Sequence, residues 1–149
     1  MGIQQKLMDD MKAAMKSGDT LRRETIRGIR AQMKNMEIDQ GRPLTEEEEI
    51  RVLISAAKKR KEAIEQFRAG NREDRAAEEE QELRIIQAYL PEQMSEEALA
   101  KLIDQTISEV QATSIKDMGK VMGKIMPQVS GRADGKVVQK MVQQKLTAL

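Results

Sequence analysis

Lys116, Lys120 and Lys124 recur at four-residue steps, with Gly119 and Gly123 set between them in the run Met118-Gly119-Lys120-Val121-Met122-Gly123-Lys124-Ile125-Met126. On a helix that spacing puts the three lysines along one edge and the Met/Val/Ile stripe on the opposite face. Two glycines four apart inside a helix cost about 1 kcal/mol each relative to alanine. They imply a close approach to the backbone, either by another helix or by a phosphodiester chain. The next segment, residues 127–136, carries Gly131, Arg132, Asp134, Gly135 and Lys136 and reads as a turn entering a helix. The glycines permit torsions that aim amides outward, and a helix start beside Arg132 and Lys136 is able to hold a phosphate. Asp134 instead makes a good N-cap and would repel that phosphate, so a capped turn and an anion site both fit the spacing.

The rest of the composition narrows the chemistry. The 149 residues contain no Cys and no His, which removes thiolate nucleophiles, imidazole acid–base catalysis and the usual zinc ligands. Aromatic residues are 1%, a single Phe67 and a single Tyr89, so base stacking on aromatics is not expected. No catalytic residue, cofactor or metal is therefore expected; of the carboxylates, Asp117 and Asp134 have no neighbour that marks them as activated. Glu46 to Glu49 and Glu78 to Glu80 are consecutive and diverge around a helix instead of converging on one ion. Lys58 to Lys61 likewise point all round a helix and read as a solvated face.

Charge is uneven along the chain. Residues 1–91 hold 18 basic and 18 acidic side chains, and residues 92–112 one basic against five acidic. Residues 113–149 hold seven basic against two acidic, a net of +5 in a chain whose formal total is +1. The last 37 residues are thus the one sizeable basic region, and the place to look for a polyanion.

Apolar residues recur at three- and four-residue steps nearly throughout, which predicts an all-α protein. The first helix spans Ile3 to Ser17, stopped by Gly18, and Asp19 caps the second, which ends at Gly41 and Pro43. Thr45 and Glu48 form a capping box for the third, Gly70-Asn71 separates it from the fourth, and Pro91 stops the fourth near Tyr89-Leu90. Ser95 caps a fifth helix; stripes beginning at Ile115 and Val138 mark a sixth and seventh. The expected organisation is a bundle of about four helices over residues 1–91, followed by a compact three-helix domain over 92–149. No membrane-spanning apolar run is present, and the N-terminus lacks a signal-peptide block, so the expectation is a cytoplasmic protein. Gly2 is a weak myristoylation signal because Lys6 stands where Ser or Thr is needed.

The stretches "AYLPEQMSEEAL" from Ala88, "TSIKDMGKVMGKIMP" from Thr113 and "GRADGKVV" from Gly131, with the opening "LMDDMKAAMKSGD", resemble the YqeY family. These are stand-alone relatives of the tail domain of the B subunit of glutamine-dependent aspartyl/glutamyl-tRNA amidotransferases, and the resemblance spans essentially the whole chain. It implies an N-terminal helical domain and a C-terminal three-helix domain that helps recognise tRNA or a tRNA-dependent amidotransferase or aminoacylation complex. A carbon–nitrogen ligase label with glutamine as nitrogen donor would be inherited from the larger enzyme, whose catalytic parts this chain lacks. Carried onto this sequence, the tRNA contacts are Lys116, Lys120, Lys124, Arg132 and Lys136, the shape residues Gly119, Gly123, Gly131 and Gly135, and the turn-fixing residue Asp134. The alternative is a protein-interaction module, in which the methionine-rich stripes receive a partner helix without any RNA contact.

Overall fold

The computed structural model describes residues 2–149, and among these every regular element is helical. Helix α1 (Ile3–Ser17) ends where Gly18 turns left-handed at φ +76°, a conformation that costs a side chain but not glycine. The Asp19 carboxylate accepts the Arg22 amide and opens α2 (Thr20–Gln40), which Gly41 closes at φ +71°. At α3 (Glu46–Ala69), Thr45 and Glu48 satisfy each other's backbone donors, so two of the four orphan amides of that terminus are used. Between α3 and α4 (Glu73–Gln87) the left-handed residue is Asn71, at φ +59°, while Gly70 stays at φ −91°. Asn is the side chain that tolerates this region best after glycine.

Backbone contacts gather into two compact units, one ending at Leu90 and the other running from Pro91 to Leu149. In the first, α1 packs on α2 and α3 on α4. Leu7, Ile26, Met33, Leu53 and Ile86 are fully enclosed at their centre. The Tyr89 hydroxyl, just after α4, donates to Asp10 of α1 while Lys6 lies over its ring at 5.5 Å. This ties the last turn of the unit back to its first helix.

In the second unit, α5 (Glu96–Val110) is capped by Ser95, α6 spans Met118–Val129 and α7 spans Gly135–Thr147. Ile103, Val121, Ile125, Val129, Val138 and Val142 are completely buried between them. At a central α-helical position, truncating such a side chain to alanine costs about 2–5 kcal/mol for isoleucine. The core is therefore the main force that holds the three helices in register.

Two local expectations need correction here. The sixth helix does not begin at Ile115: residues Ile115–Asp117 form a separate 3-10 turn, so Lys116 is not on α6. The cause is local competition for backbone donors, because the Asp117 carboxylate accepts the Thr113 amide at 2.8 Å and the Ser114 hydroxyl accepts the Lys116 amide at 3.3 Å. Nor does the following turn begin at Pro127, which lies within the last turn of α6. Proline there deletes one helical hydrogen bond, to the Gly123 carbonyl, and that carbonyl belongs to an exposed residue that water can reach. The Gln128 side chain meanwhile donates to the Lys124 carbonyl at 3.1 Å, adding support to the same turn.

Candidate nucleic-acid interface

α6 buries Val121, Ile125 and Val129, which turns Lys120 and Lys124 away from the core onto its solvent side. α7 buries Val138, Val142 and Leu146, so Lys136 and Lys140, each two residues before a buried valine, lie on its outward face. Lys116 is exposed on the 3-10 turn before α6. The sequence-derived cations thus occupy four separate elements of this unit: the 3-10 turn, the two helices, and the turn that joins them.

They are not equally available. The Lys124 ammonium sits 2.9 Å from the Glu109 carboxylate of α5, so its charge is already matched. Arg132 is turned back into its own unit: its Nε donates to the Glu92 carbonyl at 3.0 Å, and its carbonyl accepts the Met94 amide at 2.8 Å. Lys145, the remaining basic residue of α7, is 2.8 Å from Asp104. Lys116, Lys120, Lys136 and Lys140 make no ion pair among the described residues. Lys140 was not singled out by spacing, although it stands one helical turn beyond Lys136 and that interval was its signal.

The turn between α6 and α7 resolves into a capped turn. Gly131 is buried and left-handed at φ +77°, and its carbonyl accepts the Gln93 side-chain amide at 2.8 Å. The amides of Arg132 and Ala133 both donate inward to the Val129 carbonyl, at 2.8 and 3.1 Å, so neither is aimed at an anion. Asp134 caps α7 by accepting the Lys136 amide at 2.9 Å. Gly135 opens the helix, and a methyl there would meet Met126 at an ordinary 3.5 Å. Asp117, the other acidic residue of the region, is held below the usual carboxylate range chiefly by the Thr113 amide, with Lys120 adding a smaller attraction. Both carboxylates are thus occupied in shaping backbone.

Helix packing does not explain the glycines of α6. A side-chain carbon placed on Gly119 or Gly123 meets nothing within 4 Å, and both residues are exposed beside Lys120 and Lys124. Within this unit no helix comes close to them. The edge of α6 is therefore flat, cationic and open, a shape on which an extended anionic backbone can lie.

The model of the Yqey-like protein family matches residues 4–146. The chain belongs to the YqeY-like family. Among curated relatives, it is similar to altered inheritance of mitochondria protein 41, mitochondrial, from Lachancea thermotolerans, at 42% identity over 85 residues, covering 56% of this chain and 46% of that protein. The protein of the same name from Eremothecium gossypii is 34% identical over 111 residues, 72% of this chain and 60% of that one. An uncharacterized protein of Schizosaccharomyces pombe is 35% identical over 94 residues, covering 62% and 72%. The matched region spans about half the length of the first of these relatives. The expectation of a cytoplasmic protein is overturned by the names of the Lachancea and Eremothecium relatives, which place those proteins in mitochondria. The physical reason is that a missing signal-peptide block bears on the secretory route alone. No described helix is long and apolar enough to cross a membrane.

Proposed function

We propose that this YqeY-like protein is a non-catalytic helical module whose C-terminal domain, residues 92–149, binds the phosphate backbone of tRNA, directly or within a tRNA-handling complex. The observation that carries the reading is the set of four exposed lysines without carboxylate partners, Lys116, Lys120, Lys136 and Lys140, in the one region of strong positive charge. The open glycine edge of α6 lets a strand approach Lys120 without side-chain obstruction. Contacts of this kind bind through charge and shape, in keeping with a chain that has almost no aromatic surface for stacking. The resemblance to the tail domain of the tRNA amidotransferase B subunit points the same way, with transamidation left to other subunits. In this proposal residues 1–91 form a separate helical domain.

The test is binding of the purified protein to total tRNA at two salt concentrations. Each neutralised phosphate contributes a slope of about −0.7 to −0.9 in log K against log salt, so four lysines predict about −3 to −4. Undetectable binding at low salt overturns the reading.

A further inference from the structure

Residues 1–91 carry no net charge, yet α2 collects four cations on one face. Arg23, Arg27, Arg30 and Lys34 fall at 4-3-4 spacing, within about 60° of arc and along about 16 Å of helix axis. The core side of the same helix, Thr25, Ile26, Ile29 and Met33, lies elsewhere on its circumference. Against this stripe runs a methionine ridge on α1. Met8, Met11 and Met15 share one flank of α1, and the Arg30 guanidinium touches the Met11 sulfur at 3.6 Å, so ridge and stripe adjoin. Met15 is 54% exposed, while Met8 and Met11 are half-buried. Beyond the ridge, Lys12 and Lys16 stand one position further round α1 from Met11 and Met15. The result is an apolar strip with cations along both borders, the α1 border also carrying the exposed Asp9, whose carboxylate accepts the Gln5 side-chain amide at 3.0 Å.

Few carboxylates answer these charges. Glu24 is shared by Arg23 and Arg27 at 3.0 and 3.3 Å; Glu24 and Arg27 are exposed to solvent and Arg23 is half-buried. Glu37, at the far end, is engaged by the Gln4 side chain and the Leu44 amide. Arg30, Lys34, Lys12 and Lys16 form no ion pair among the described residues.

We propose that this face of α1 and α2 docks an acidic amphipathic helix from a partner protein, its apolar side on the methionines and its carboxylates on the two cationic borders. Charge complementarity selects an acidic partner, and the methionine strip selects a partner with an apolar face over a phosphodiester, which has none to offer. Methionine suits the role because its unbranched, polarisable side chain repacks against varied surfaces. About 16 Å of stripe accommodates about three turns of a docked helix. This site lies in the first unit and does not depend on the tRNA reading, which concerns the second.

The probe is a fluorescein-labelled helical peptide with leucine on one face and glutamate on both flanks, titrated with the full chain by anisotropy. A peptide with lysine replacing each glutamate is the control. The expected result is saturable binding of the acidic peptide, at least about tenfold tighter than the lysine peptide. R27E combined with K34E is expected to weaken it about tenfold, and M15S a few-fold, with circular dichroism unchanged because these side chains are exposed. R27Q with K34Q serves as the milder second pair. Lys120→Gln leaves peptide binding unchanged and lowers only tRNA binding. Equal affinity for the two peptides, or no loss in either double variant, overturns the proposal. So does a loss confined to binding of tRNA or of phosphatidylglycerol vesicles.

Discussion

Replacing Gly123 and Gly119 of α6 by alanine separates what the helix needs from what a ligand needs. Gly123 is the sixth of twelve residues in α6, an interior position, and Gly119 is the second. Nothing lies within 4 Å of a carbon added at either. Alanine therefore recovers the helix propensity that glycine forfeits, about 0.8–1 kcal/mol at the interior site, and less in the first turn, where backbone bonds are incomplete. The double variant is expected to gain about 1–1.5 kcal/mol, which with a urea m-value of about 1–3 kcal/mol/M moves the unfolding midpoint up by roughly 0.3–1.5 M. Urea melts followed by circular dichroism read the shift. Destabilisation would refute the reasoning, since it would mean that some surface packs against this edge. The same variant then reports on the interface. If a phosphate backbone lies along the α6 edge, two added methyls weaken tRNA binding in a more stable protein, a combination that damage to the fold cannot produce.

Three further outcomes are expected. Lys120→Gln is to lower the salt slope of tRNA binding by about one phosphate contact, whereas Lys124→Gln, whose charge Glu109 already matches at 2.9 Å, changes it little; equal effects would rule out the assignment of available cations. Gly131→Ala forces a side chain into a buried left-handed turn at φ +77° and is expected to cost about 1–3 kcal/mol in urea unfolding, while Gly70→Ala, at φ −91°, costs far less. Glu48 titrates at about 2, held below its ordinary 4.5 mainly by hydrogen bonds from Arg42 and then from the Thr45 amide. Its contribution is present above pH 4.5 and fades as pH falls toward 2, so Glu48→Gln is expected to lower stability at neutral pH and to flatten the acid limb, the two proteins converging near pH 2; an equal loss at every pH would refute this.

Where local chemistry decides the backbone, the sequence was sufficient to place the element. Gly18, Asp19, Gly41, Thr45 with Glu48, and Ser95 each act on donors or torsions within four residues of themselves, and all five end or begin helices as their types require. Residues 115–117 failed the same treatment because apolar spacing continued through them while Asp117 and Ser114 captured amides that a helix would have used. The glycines of α6 were ambiguous for a different reason. A glycine's cost is visible in sequence, but the space beside it depends on where the neighbouring helices run, and here they run elsewhere. Arg132 shows the converse: its charge drew attention, yet its guanidinium is used on the Glu92 carbonyl, forty residues away in sequence.

Availability, more than number, therefore decides which cations belong to an interface. The last 37 residues contain seven basic side chains, but Lys124, Arg132 and Lys145 are engaged with Glu109, Glu92 and Asp104. Charge counting by segment overstates that region and hides the opposite case in residues 1–91, where a net of zero conceals the stripe on α2. The glutamates that cancel it in the sum belong largely to α3 and α4, where Glu79 and Glu82 close on Arg60 and Glu80 on Arg68. Because exposed charges more than about 8–10 Å apart are screened at physiological salt, a partner meets the α2 face as cationic whatever the segment total. The two faces also differ in what accompanies the charge. Glycine beside lysine on α6 leaves room for a backbone to come close, and methionine beside arginine on α1 and α2 offers apolar area, so one chain presents chemistry for two different kinds of ligand.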